Sequence, residues 1–277
     1  MITEILHYTF LQNALAGSIL AGIVCGLIGT YVVCHRMVFI AGGVAHSSLG
    51  GVGLGALLGF PPMIGATAFS LLTAYGAENL SRSKEIREDS AIAMMWALGM
   101  SIGIICTYLA PRFLPALTGY LFGNILLISH IDLLFLALLT VITAIVFYLF
   151  TPQIVAITFD REFARSQGLP VTLLQNVLTA LTALSIVACL RVAGVVMVIS
   201  LLSVPQMSAN LLTRNFSRMA LLSIGFSIIS CIGGLLISYY CNVPSGATII
   251  LLSIAIYMLL HTIKALRRCL YINDAHN

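Results

Sequence analysis

The chain has 277 residues, 60% of them hydrophobic and only 8% charged, with a mean hydropathy of +1.08. Soluble domains average about a quarter charged residues, so this composition excludes a water-soluble globule and indicates an integral membrane protein. The formal net charge of +4 includes no basic patch interleaved with aromatics, which excludes nucleic acid as a partner.

Allowing about 20 apolar residues per span, the length accommodates a single transmembrane domain over 1–277 and no sizeable soluble one. Continuous apolar runs, without the alternation of a barrel, predict an all-α polytopic fold. The opening residues MITEILHYTF lack the positively charged start of a cleavable signal, so the first span is expected to be retained. Charged and Pro/Gly breaks leave eight or nine spans, near 11–34, 38–59, 62–81, 90–110, 132–150, 171–190, 193–212, 217–240 and 244–263. Eleven of the 13 basic residues fall in one set of alternate loops, leaving Arg112 and Arg191 on the other side. The positive-inside rule then places the C-terminus in the cytoplasm and, for nine spans, the N-terminus outside.

In the first span, Gly22 and Gly26 form a small-residue strip, as do Gly51, Gly55 and Gly59 in the second. Such strips let helix backbones approach closely, either at a dimer or pore-lining seam or in packing within one chain. The second span, read from Arg36 to Gly59, is apolar yet carries a histidine, two serines and seven glycines. His46 lies ten residues beyond Arg36, or about 15 Å along a helix, close to the middle of a hydrocarbon core. An ionisable side chain at that depth is a functional hypothesis, and the Gly42-Gly43 pair is expected to break the helix beside it.

Pro61-Pro62 make the next turn, and Glu88-Asp89 head the fourth span, where acidic residues favour a helix N-terminus. The segment 112–131 is too short and broken for a full span; its prolines and glycines predict a half-helix dipping in from the outer face. His130 and Asp132 beside it read as a solvated loop pair or as an entry point for a cation. In the polar stretch 152–170, Asp160 to Gln167 reads as a short surface helix, with Asp160 as N-cap, Gly168 as C-terminal stop and Pro170 beyond. In the seventh span Pro205 is expected to kink the helix, with Ser200, Ser203, Ser208 and Asn210 available for the freed backbone groups. Seven cysteines without a CxxC pair read as small core residues, Cys106 and Cys189 being the alternatives for a pathway.

No phosphate loop, HExxH or nucleophile elbow occurs, so the chain is not expected to be an enzyme. Acid and base residues within the spans are too few for a proton relay; His46 stands nearly alone. Uphill transport would therefore draw its energy from another subunit. A stand-alone gradient-driven carrier or channel is the contrasting reading.

Several segments, in order, resemble the membrane permeases of ATP-binding-cassette importers for zinc, manganese and iron ions. They are Arg36-Met37 with His46-Ser47 and Leu49-x-Gly51-Val52; Glu88-Asp89-Ser90-Ala91-Ile92; Leu121-Phe122-Gly123-Asn124-Ile125-Leu126; Phe159-Asp160-x-Glu162-x-Ala164 with Gly168; and Gly194-Val195 through Leu201-Leu202 to Pro205. The resemblance implies a homodimer in a bacterial or archaeal cytoplasmic membrane, two cytoplasmic ATP-binding subunits and an extracytoplasmic metal-binding protein. It implies that Phe159, Asp160, Glu162, Ala164 and Gly168 belong to a coupling helix at about 158–169 that docks on the ATPase. No cofactor is implied; the divalent metal is cargo, zinc first. His46, with Ser47, would line the path as ligand or gate. The family's aspartate four residues before the histidine is Gly42 here, its serine before the histidine is Ala45, and its proline is Gly50. A lone imidazole suits zinc or iron better than the harder manganese ion, and a broad, weakly coordinating path would also suit a metal chelate.

Overall fold

In a computed structural model, residues 8–82, 87–110, 125 and 128–274 are described, and ten α-helices account for nearly all of them. They are α1 (Thr9–Cys34), α2 (Val38–Leu58), α3 (Pro62–Arg82), α4 (Glu88–Leu109), α5 (His130–Phe159), α6 (Arg161–Ser166), α7 (Val171–Leu201), α8 (Val204–Leu212), α9 (Phe216–Cys241) and α10 (Ser245–Asp274). Each of the nine expected spans is helical, and eight of the segments are long and apolar enough to cross a membrane. The exception is α3, whose polar residues Tyr75 and Glu78 turn toward α7. Of the half-helix expected at 112–131, only 125 and 128–131 are described, and His130 and Ile131 already belong to α5; the rest, with the Leu121–Leu126 resemblance apart from Ile125, lies outside the described residues.

The bundle has two parts. One is α2, α3 and α4, packed along each other; the other is α1 with α5, α7, α8, α9 and α10. Although α1 runs into α2 through a turn at His35–Met37, the two helices diverge at once. Arg36 takes the left-handed conformation there, with a φ of 59°. The first part leans on the second chiefly through α7.

Glycines set these contacts, and they do so within the chain. A Cβ at Gly22 or Gly26 would meet the α9 backbone at Ile228 or Ile224. A Cβ at Gly51 would lie 1.9 Å from the carbonyl oxygen of Gly65 on α3. Gly22, Gly26, Gly51 and Gly55 are thus spent on packing within the chain, whereas Gly59 ends α2 with nothing within 4 Å of its Cβ position. The break expected at Gly42-Gly43 does not occur: α2 runs unbroken through both. Gly43 instead admits the Ile92 side chain, 2.4 Å from where its own Cβ would be. Close packing of this kind offsets a glycine's intrinsic cost of about 1 kcal/mol in a helix.

Pro205 also differs from its expected role. The chain leaves helical geometry at Gly194 (φ 75°, ψ 162°) and stops again after Leu201, and Pro205 sits in the first turn of α8. A proline there lacks only an N–H that would have had no partner, so it starts a helix and kinks none. Gln206 repairs the break: its Nε2 donates to Leu201 O (3.0 Å) and to Cys25 O on α1 (2.7 Å). Ser203 donates to Ile199 O at 2.8 Å, Ser208 to Val204 O at 3.0 Å, and Ser200 pairs with Ser253, so Leu201 O is met by Gln206 and not by the serines expected to do so. Cys189 is fully buried with its Sγ 3.7 Å from that of Cys25, and Cys106 is buried too, as core residues.

Candidate functional site

His46 lies near the middle of α2. Its ring stacks on Trp96 of α4 with centroids 4.5 Å apart and planes at 11°. Nδ1 is buried and has no hydrogen-bond partner among the described residues. An unsatisfied nitrogen at this depth is uncommon and costs stability, so a structural histidine would be expected to bond it. The ring is instead partly exposed beside the wall that α2 and α4 form, held by its stack on Trp96.

Four residues earlier on the same face, Gly42 has space. A Cβ there would find only Ile199 Cδ1, at 3.8 Å. The missing carboxylate is therefore a matter of side-chain identity alone. Ser47 is placed differently from His46: it is fully buried, donates to Val44 O at 3.1 Å, and packs its Cα against Gly99 of α4. Its hydroxyl serves its own helix, and the structure does not bring it to the His46 ring. Among the described residues no group of three His, Cys, Asp or Glu side chains could hold a metal ion. Asp132 is spent on a capping box at the start of α5, its Oδ2 accepting from Ser129 Oγ at 2.6 Å.

The second candidate region is α6. Asp160 Oδ1 accepts from Phe163 N at 2.9 Å, the N-cap its position in the sequence predicts. At the other end Leu169 N reaches Ala164 O and Gly168 N reaches Arg165 O, with Gly168 at φ 74°. That is a Schellman closure, for which glycine is the usual residue. Upstream, the helix of the fifth span does not stop near 150. It continues through Pro152 to Phe159, so much of the expected polar loop is helix. Ala164 faces the bundle and is fully buried, whereas Glu162 and Arg165 are solvated, and Phe159 and Phe163 are 66% and 55% exposed. Two large exposed apolar side chains, Phe159 at the end of α5 and Phe163 on α6, form a surface that water alone would not favour.

A side-chain contact that the sequence did not reveal holds α6 to the bundle. Arg161 Nη2 donates to Nε2 of His35, at the end of α1. A guanidinium has no acceptor, so His35 is the neutral tautomer carrying its proton on Nδ1. Burial, and then the nearby Arg161 charge, push the imidazole from 6.5 down to about 4, against smaller opposing effects from the Thr158 carbonyl and Glu78. Between those two values the folded chain binds fewer protons at this position than the unfolded chain. The contact is complete above pH 6.5 and is lost as pH falls toward 4. Amide protection factors in 161–166 are expected to drop at pH 5 relative to pH 7.5. A His35→Gln variant, which keeps an acceptor but cannot titrate, should show no such drop; an equal drop in both would rule His35 out.

Glu78 on α3 is the other residue that sequence reasoning missed. It is the one buried carboxylate among the described residues, 8% exposed. Gln175 Nε2 donates to its Oε1 at 2.6 Å and Thr179 Oγ1 to its Oε2 at 3.1 Å, both from α7. His46 is thus not the lone ionisable group of the spans. In the sequence Glu78 lies near the end of the expected span 62–81, where nothing local marks its partners on α7.

The family model described as the ABC 3 transport family matches residues 7–264. An uncharacterised membrane protein of Synechocystis sp. is 40% identical over 93% of this chain and 92% of its own length. The manganese transport system membrane protein MntC of Halalkalibacterium halodurans is 32% identical over 92% and 88%. In the solved structure of PsaBC from Streptococcus pneumoniae in complex with Fab, a chain superposes with a TM-score of 0.84 at 29% identity, covering 94% of this chain and 95% of that one.

Proposed function

The chain belongs to the ABC 3 transport family and is a metal-transport permease of the ATP-binding-cassette type, and we propose that it forms the translocation path of an ATP-driven importer of a divalent metal ion. Two copies would enclose the path, each bound on the cytoplasmic side to one ATP-hydrolysing subunit, with an extracytoplasmic binding protein delivering the metal. In this reading α6 and the C-terminus are cytoplasmic. The 1–277 chain is one transmembrane domain, and catalysis resides in the partner.

The observation that carries the proposal is the two-sidedness of α6. Ala164 seats it on the bundle, while Phe159 and Phe163 face outward with Asp160, Glu162 and Arg165 around them. Buried aromatic anchors dominate interface energies, so Phe163→Asp is expected to weaken ATPase binding by about 30-fold or more. Gly168→Trp, which forces a bulky residue into a left-handed turn, should act alike. Co-purification of the ATPase with either variant at the wild-type level, from a monodisperse membrane fraction, would reject the docking role.

His46 is the proposed metal-facing residue, acting as ligand or gate. Manganese enters the cargo list through the relative of that name and zinc through the affinity of a lone imidazole. A chelated metal is the second reading, favoured by the lack of a chelating cluster among the described residues. A cargo that keeps its own ligands needs few from the wall.

A further inference from the structure

The bundle's division into α2–α4 and the remainder raises the question of what makes the two move together. The seam between α3 and α7 is built unevenly along its length. Away from α6 it is small and apolar, with Val52 and Ala66 resting on Val187. Near α6 it is polar. Glu78 takes hydrogen bonds from Gln175 and Thr179, and almost one turn away Tyr75 OH donates to Asn176 O at 2.8 Å. Apolar contacts tolerate sliding, whereas a carboxylate held by two directed donors permits one register.

The three α7 partners also have a particular place. They fall within the first nine residues of α7, which follows α6 after only the Gly168 turn, Leu169 and Pro170. A displacement of α6 is therefore passed to the start of α7, where Gln175, Asn176 and Thr179 hold α3. Burying a carboxylate is costly, and an apolar pair would pack the same seam without that cost.

We propose that Glu78 is a positioning residue for transport, the tie that makes α3, and with it the His46-bearing α2, follow the α6–α7 corner. The inference rests on the coupling role proposed for α6. Glu78 contacts neither the metal nor the nucleotide; it sets whether motion at one reaches the other.

The test uses the permease reconstituted with its ATP-binding subunit in liposomes, with spin labels at Leu58 and Ser166 and manganese(II) as the transported probe. The wild-type label distance should differ between the nucleotide-free and ATP–vanadate states. In Glu78→Leu with Gln175→Leu, which removes the carboxylate with its Gln175 donor and leaves only the Thr179 hydroxyl to turn elsewhere, that difference should vanish. Manganese moved per ATP should fall about ten-fold in this variant while hydrolysis stays within about two-fold of wild type, the mark of lost coupling. Glu78→Gln with Gln175→Glu rebuilds the bond in reverse and should restore both readouts. A double-leucine variant with the wild-type distance change and stoichiometry overturns the Glu78 role alone. Parallel loss of hydrolysis and uptake overturns it as well, since that marks a merely structural residue. A wild-type complex showing neither distance change nor ATP-dependent uptake overturns the coupling reading, and the Glu78 proposal with it.

Discussion

Gly51→Val is expected to abolish accumulation of folded protein. A Cβ at Gly51 would sit 1.9 Å from Gly65 O and 2.2 Å from Gly65 C, and the reciprocal Cβ on Gly65 would lie 2.1 Å from Gly51 O. These are backbone atoms, so no side-chain rotation relieves the overlap and α2 must move away from α3. The same movement would open the contacts of Gly50 and Gly53 with the carbonyls of Gly99 and Gly103 on α4. Ordinary overpacking costs about 1–3 kcal/mol; a shift that disengages two helix pairs should exceed that. Gly225→Ala is the matched control, because nothing lies within 4 Å of its Cβ position. It should be neutral or gain up to about 1 kcal/mol from helix propensity. Yield of monodisperse protein and thermal midpoint in detergent report both, and a Gly51→Val protein melting with wild type would disprove the backbone-contact account.

His46→Ala is expected to reduce metal uptake by at least about ten-fold while leaving the fold intact, in line with the loss typical when a metal site loses a supporting group. The two halves of that expectation have separate grounds. Function is implied by an imidazole near mid-membrane whose Nδ1 is buried and unbonded. Structural loss should be small, because the Trp96 stack is the ring's principal contact, and such pairs contribute about 0.5–1.5 kcal/mol. Gly42→Asp extends the test. The position has room for a Cβ, and a carboxylate at i relative to His46 at i+4 shares its helix face. Adding that oxygen ligand should move selectivity toward manganese, the harder ion. Cellular manganese, iron and zinc, measured in a deletion strain complemented with each variant, decide the matter. Unchanged content of every metal with His46→Ala would remove this residue from the path.

What could be read from the residues in order follows one physical division. In lipid each backbone polar group must be satisfied within its own helix, so hydropathy located every described span, α3 included. Caps are equally local: Asp160 bonds an amide three residues on, and Gly168 supplies a left-handed turn wherever it sits. The α6 segment and the depth of His46 were therefore legible in the sequence, as was the family. Pro205 was misread because a proline inside an apolar run looks the same whether it bends one helix or starts the next. That choice depended on Gln206, whose other partner is Cys25, 181 residues away. The Gly42-Gly43 pair was misread because propensity counts what glycine costs a helix and not which neighbour it admits; here the neighbour is Ile92. Glu78 was overlooked inside the expected span 62–81 because its partner Gln175 is 97 residues distant. By itself the sequence determined which segments are helical, how α6 is capped and that His46 falls near the middle of α2, since all three follow from bonds and burial within one helix. Only the tertiary structure decided which glycines meet, that Ser47 is buried against α4, and that a carboxylate joins α3 to α7. Those depend on pairs of helices, and hydropathy contains no term for a pair.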